Sequence, residues 1–186
     1  MNPMRIVGRP ERLATVGDTS LDLVTATLPT YAEPWVCGLV RRPGAVAVLP
    51  YDVAQGIYVL ARQPRIGLLG AVTVEAPAGK IDHPDDDPAE TAARELQEEM
   101  GLLAANWTTV AEAVTVSPGY TTERMWLYLA EGLTTTPARP VDAYIDTIRL
   151  PLSELDDHLD RYRRDDQADL KTLTLLQALQ VGLTTR

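Results

Sequence analysis

The segment Arg94-Glu95-Leu96-Gln97-Glu98-Glu99-Met100-Gly101-Leu102 places three glutamates at positions i, i+3 and i+4. On a helix those positions are neighbours on one side, and like charges there repel by roughly a few tenths of a kcal/mol per pair. The segment is nonetheless written as a helix. Asp87 is a good N-cap, Pro88 suits the first helical position, and Glu90 stands where a capping box wants a carboxylate. Gly101 supplies the left-handed residue on which many helices end. Ala89, Ala92, Ala93, Leu96 and Met100 form the apolar face, with the glutamates at its edge. Arg94 can pair with Glu90 or Glu98 and hold a carboxylate in place. Upstream, the apolar run Val72 to Ala76 reads as a strand that ends in the loop Pro77-Ala78-Gly79. The glutamates are either a solvated face or a site for a hard divalent cation, Mg2+ or Mn2+, which clustered carboxylate oxygens suit. The strand and glycine loop leading into the helix favour the second reading.

The rest of the chain alternates strands and helices. Strand patterns run over Arg5 to Val7, Leu21 to Thr27, Trp35 to Leu49, Ile57 to Arg62, Val110 to Ser117, Arg124 to Ala130 and Ile145 to Leu150. Thr134 to Pro140 is a Thr- and Pro-rich loop. Ser153 to Tyr162 and Ala168 to Leu183 read as helices. The second carries Leu170, Leu173, Leu176, Leu179 and Leu183 on one stripe. The expected architecture is an α/β/α sandwich. Its sheet should be mixed, because several connections are of hairpin length.

A chain of 186 residues is one domain by default, large enough to bury a real core. Its net charge of −9 argues against nucleic acid as a partner. Local positive charge for an anionic ligand must then come from metal and a few arginines. Cys37 is the single cysteine, which leaves no intramolecular disulfide and fits a reducing, cytoplasmic compartment. It is expected to be a small core residue, not a nucleophile. The N-terminus lacks a secretory signature, and no apolar run approaches the ~20 residues that span a bilayer. His83 and His158 lie in acidic contexts and are expected at the surface. Trp35, Trp107 and Trp126 are expected in core or interface, with Trp35 a candidate to stack on a base.

The strand, loop and helix unit resembles the Nudix box, whose pattern is G, five residues, E, seven residues, R-E-aliphatic-x-E-E-x-G-aliphatic. The half from Arg94 to Leu102 matches at every specified position. The first half departs twice. Fourteen residues separate Gly79 from Arg94, where the pattern has thirteen, and the first glutamate is replaced by Asp85 or Asp86. An added loop residue is easily accommodated, and aspartate keeps the charge. Resemblance to the ADP-ribose pyrophosphatase branch of these hydrolases extends over residues 36 to 183. It is carried by Pro43 to Pro50, Leu60 to Arg65, Val74 to Gly79, Arg149 to Leu152 and Asp169 to Thr172. Pro118, sixteen residues after Leu102, stands near a marker of that branch. Tyr120 stands close to a marker of diadenosine-polyphosphate hydrolases.

The resemblance implies a Nudix-type fold and metal-dependent hydrolysis of ADP-ribose to AMP and ribose 5-phosphate. The alternatives are another nucleoside diphosphate derivative, such as a sugar nucleotide or dinucleoside polyphosphate, and a low-turnover nucleotide-binding domain. It implies two or more Mg2+ or Mn2+ ions held by the Ala78 carbonyl, Glu95, Glu99 and Glu98. It implies that Arg65 faces a phosphate, that Arg42 contacts the base or ribose, and that Glu75 either bonds the adenine edge or caps its strand. It further implies a homodimer in which residues 1–33 form a dimerisation element beside the catalytic residues 34–186, with Arg42 near the partner's site. The branch places a water-activating glutamate in a late loop. Here that stretch, Pro140 to Asp146, holds only Asp142 and Asp146. Asp142 or Glu98 is then the candidate to act on water.

Overall fold

The computed structural model describes residues 4–29, 31–136 and 144–184. Ten strands and three helices carry it: β1 (Arg5–Val16), β2 (Thr19–Thr27), β3 (Trp35–Arg41), β4 (Ala45–Asp52), β5 (Ile57–Pro64), β6 (Val72–Glu75), β7 (Ala78–Lys80), α1 (Pro88–Met100), β8 (Leu102–Thr115), β9 (Arg124–Thr135), β10 (Asp146–Pro151), α2 (Leu155–Tyr162) and α3 (Leu170–Thr184). The larger sheet runs β10-β5-β4-β9-β8, with β6 added on β5 and β7 on β4. Among the described residues only the central β4–β9 pair is parallel in that sheet, so it is mixed, as expected.

Side chains alternate across a strand, and the central strands use both faces. On one face Val46, Val48, Val59, Ala61, Tyr128 and Ala130 pack with Ala92, Leu96 and Met100 of α1. On the other, Ala47, Leu49, Leu60, Leu127 and Leu129 pack with Leu155 and Leu159 of α2 and Leu175, Leu176 and Leu179 of α3. These two cores make the three-layer α/β/α arrangement. Among the described residues no helix is long and apolar enough to cross a membrane.

The expected run Trp35 to Leu49 is two strands in two sheets. It breaks at Arg42-Pro43-Gly44, where proline lacks an N–H and Gly44 sits so close to Trp126 that a Cβ would lie 2.8 Å from the indole. The first part, β3, pairs with β2, and β2 with β1, forming a separate antiparallel sheet. Its strand β1 is longer than expected and exposed along its whole length. In β2 the buried Asp22 carboxylate accepts from both Arg12 of β1 and Arg41 of β3, which ties the three strands together. Hydrogen bonds and an ion pair join this sheet to β7 and to the loop before β9. Val40 N donates to Tyr120 O at 2.7 Å, Thr122 N donates to Val40 O at 3.0 Å, and Lys80 pairs with Asp18.

Other differences follow from polar anchors that periodicity does not see. In α1 the buried residues are Thr91, Ala92, Leu96 and Met100, while Ala89 and Ala93 are exposed. In α3 Leu170 is exposed and Thr172 is buried in its place, because its hydroxyl accepts from Ala76 N at 2.8 Å. His158 is half-buried, not at the surface. It shares a 2.6 Å hydrogen bond with the Tyr58 hydroxyl and packs between Tyr58 and Tyr162. His83 is exposed. Trp107 and Trp126 are partly buried against the α1 side of the sheet, and Trp35 is 46% exposed.

Candidate functional site

The helix α1 is set by its two ends. Asp87 Oδ1 accepts from Ala89 N at 2.8 Å, and Gly101, at φ 64°, closes the last turn by donating to Gln97 O. At 3.6 residues per turn, one half of the helix then carries Thr91, Glu95, Glu99, Ala92, Leu96 and Met100 in angular order. Two of the three glutamates therefore lie inside the buried half, not at its edge. Glu98 falls just outside and is exposed.

That half of α1 rests on β7, whose residues Ala78–Lys80 pair antiparallel with Ala45–Ala47 of β4. Ala78 N donates to Glu99 Oε2 at 3.2 Å. A Cβ built on Gly79 would lie 1.9 Å from Glu95 Cδ, so only glycine leaves room for that carboxylate. Arg94 gathers the remaining acidic groups. Its guanidinium donates to Glu98 Oε2 at 2.9 Å and to Asp82 Oδ2 at 3.3 Å, and it forms an ion pair with Glu95 Oε1 at 2.9 Å. Of the two pairings expected for Arg94, the one with Glu98 forms.

Burial pushes both inner carboxyls up. Glu95 is raised by desolvation, against the opposing pull of Arg94. Glu99 is raised to about 7, first by desolvation and then by the Glu95 charge, with the Ala78 N–H and Arg65 opposing. Two neighbouring carboxylates held out of water favour a positive charge between them. Among the described residues no three acidic or imidazole side chains converge on one point. The donors present are two half-buried carboxylates beside the backbone of a glycine strand. They fit a hard divalent cation.

On the other side of Ala78 and Gly79 opens a cleft of about 470 Å³. It is lined by Arg42, Arg65, Glu75, Ala78, Gly79 and Lys171, among others. Four of the expected site residues thus meet in one cleft, and Glu95 and Glu99 stand directly behind its floor. Asp142 lies outside the described residues. Arg42 reaches Glu123 at 3.5 Å, and its backbone N donates to Thr122 Oγ1 at 3.3 Å. Glu75 ends β6 and lines the inner wall of the cleft. It is 2% exposed, and its two oxygens are taken by Arg65 Nε and Lys171 Nζ, each at 2.5 Å. Lys171, Asp169 and Glu123 were not foreseen as site residues. The segment Asp169 to Thr172 gave a signal only as a resemblance and as the start of a helix.

Residues 41–172 match the NUDIX domain family. The methanol dehydrogenase activator of Bacillus methanolicus is 36% identical over 146 residues, which span 77% of this chain and 75% of that protein. The ADP-ribose pyrophosphatase of Bacillus subtilis is 33% identical over 146 residues, again 77% of this chain and 75% of the other. A crystal structure of an ADP compounds hydrolase superposes with a TM-score of 0.82 over all of this chain and 96% of its own, at 21% identity. At that identity the superposition speaks for the fold.

Proposed function

Because the chain belongs to the NUDIX domain family, we propose that it is a pyrophosphohydrolase that splits ADP-ribose into AMP and ribose 5-phosphate. The observation that carries this reading is the packing of Glu95 and Glu99 against Ala78 and Gly79, at the floor of a cleft that also presents Arg42 and Arg65. Glu95, Glu99, Glu98 and the Ala78 carbonyl are the groups that would hold Mg2+ or Mn2+. When bound, two or more such ions neutralise phosphate charge and lower the pKa of a water.

The chain's own residues do the rest. Arg65, with Glu75 fixing its side chain, faces the diphosphate, and Arg42 contacts the base or ribose. Water adds to one phosphorus while the bond from that phosphorus to the bridging oxygen breaks, and the bridging oxygen leaves on the other phosphate. The proton lost by the water passes to a carboxylate, Glu98 or Asp142. Cations that hold the diphosphate in line contribute through positioning and charge stabilisation. The same reading places the enzyme in the cytoplasm as a homodimer, with the β1-β2-β3 sheet at the interface and Arg42 near the partner's site.

A relative of equal similarity bears a name unrelated to ADP-ribose, so the substrate is tested on a panel. ADP-ribose, sugar nucleotides and dinucleoside polyphosphates are incubated with Mg2+ or Mn2+, and products are resolved by chromatography. AMP and ribose 5-phosphate in equal amounts from ADP-ribose, at the highest kcat/KM of the panel, are expected. Preference for a sugar nucleotide overturns the substrate assignment. No cleavage of any compound overturns the assignment as an enzyme.

A further inference from the structure

Thr172 stands in the first turn of α3 and is fully buried. Asp169 caps that turn. Its Oδ1 accepts from Thr172 N at 2.8 Å, and its carbonyl accepts from Leu173 N at 3.1 Å. Its Oδ2 accepts from the Thr172 hydroxyl at 2.9 Å, from Lys171 Nζ at 2.8 Å and from the Tyr162 hydroxyl at 3.3 Å. Burial would raise the Asp169 carboxyl, but Lys171 and Thr172 outweigh it and hold it below its usual range. An ionised carboxylate only accepts, and a hydroxyl has one proton to give. The Thr172 proton therefore points at Asp169. The lone pairs of the same oxygen are left for the buried Ala76 N–H, which donates to Thr172 Oγ1 at 2.8 Å.

Ala76 and Pro77 make the crossing from β6 to β7. Proline has no N–H, so Ala76 N is the one backbone donor of the crossing. A buried donor without an acceptor is costly, and the acceptor here comes from a helix 96 positions later. The far side of the crossing is held by other elements. Pro77 O accepts from Val48 N at 2.9 Å, and Ala78 N donates to Glu99 Oε2 at 3.2 Å. Tethers from α3, β4 and α1 thus fix Ala76, Pro77 and Ala78 in turn. Two residues span about 7 Å of chain at most, so little slack lies between Ala76 and Ala78. A shift of the first moves the second, and with it the partner of Glu99.

We propose that Thr172 is a positioning residue for the candidate metal site: its hydroxyl, aimed by Asp169, sets the backbone of Ala76 and thereby the place of Ala78 against Glu99. The proposal rests on the reading of Ala78, Glu95 and Glu99 as metal-holding groups, and its test does not need turnover. Mn2+ binding to the full chain is measured by loss of the free-ion paramagnetic resonance signal, for wild type, Thr172→Val, Thr172→Ser and Leu179→Ala. A thermal melt accompanies each. The first variant keeps the shape and loses the hydroxyl, and the second keeps the hydroxyl. Leu179 is as deeply buried in α3 but has no polar group to join these bonds, so its variant reports loss of stability alone. If Thr172→Val does not fold, Thr172→Cys takes its place, because a thiol accepts only weakly.

Groups that orient a metal ligand matter to affinity almost as much as the ligand, so Thr172→Val should bind Mn2+ about tenfold more weakly or worse. Thr172→Ser should stay within about threefold of wild type. Leu179→Ala should melt lower and bind Mn2+ as wild type does. Unchanged Mn2+ affinity in folded Thr172→Val, or in Thr172→Cys where it stands in, overturns the positioning role. An equal loss in Thr172→Ser or in Leu179→Ala overturns it too, as does a wild type that binds no Mn2+. Mn2+ binding that depends on the Thr172 hydroxyl, in a chain that cleaves no nucleoside diphosphate, supports the positioning role and overturns the substrate reading alone.

Discussion

Gly79 and Glu95 share one volume: the carboxylate of Glu95 occupies the space a Gly79 side chain would fill, 1.9 Å from an ideal Cβ. The contact joins the floor of the cleft to the buried half of α1. The clashing atoms are the far end of a flexible side chain, so Gly79→Ala should fold, with the Glu95 carboxylate displaced. A displacement of that size in a group proposed to hold metal is expected to lower kcat by about two orders of magnitude. The melting temperature should change by only a few degrees. Steady-state kinetics and a thermal melt on the same preparation check both halves.

Glu99 gives a prediction for the metal-free protein. Its carboxyl titrates near 7 when folded, above the ordinary value of 4.5. The folded state therefore binds more protons between those values, and stability falls as pH rises through that window. With a chelator present, wild type should melt lower at pH 8 than at pH 5 by more than Glu99→Gln does. At pH 8 the variant should match or exceed wild type. Equal pH dependence in the two proteins would remove Glu99 as the source.

Two carboxylates are the proposed acceptors of the water proton. Glu98 is exposed and held by Arg94 across one helical turn. Asp142, the other carboxylate proposed to act on water, is one methylene shorter than a glutamate. If Glu98 acts on water, Glu98→Gln lowers kcat by about two to four orders of magnitude, and Asp142→Asn leaves it near wild type. If Asp142 acts, the pattern reverses. Single-turnover rates of both variants at saturating Mg2+ separate the two.

The first sheet predicts the assembly. All twelve residues of β1 are exposed, among them Ile6, Val7, Leu13 and Val16, and Trp35 and Val36 of β3 are exposed as well. An exposed apolar sheet with a free edge strand invites another chain. Light scattering at micromolar concentration should give twice the chain mass of 20.3 kDa. A monomer with full activity would contradict both the dimer and the sharing of Arg42.

Much of the site was legible because it is local. Asp87, Pro88 and Gly101 bound α1 within one stretch of chain, and the glutamate spacing placed three carboxylates on one side of it. The central strands were legible from their Val and Ile content. Long-range polar bonds were not. Nothing near Glu75 in sequence says that Lys171, 96 positions later, takes one of its oxygens. Nothing near Thr172 says that its hydroxyl is needed by Ala76, which is why Leu170 was wrongly placed on the buried stripe. The run Trp35 to Leu49 hid a sheet change because apolar residues lie on both sides of Arg41-Arg42-Pro43-Gly44, and the break those four residues make was read through. Gly79 read as a loop residue, and its closeness to Glu95 emerges only when α1 is laid on β7.

The most direct test of the account is the rate of AMP release from ADP-ribose as Mg2+ is titrated, for wild type, Glu95→Gln and Glu99→Gln. The account predicts a saturable rise for wild type. Both variants should fold yet turn over at least about a hundredfold more slowly at any Mg2+ concentration. Wild-type turnover by either folded variant at saturating Mg2+ would contradict it.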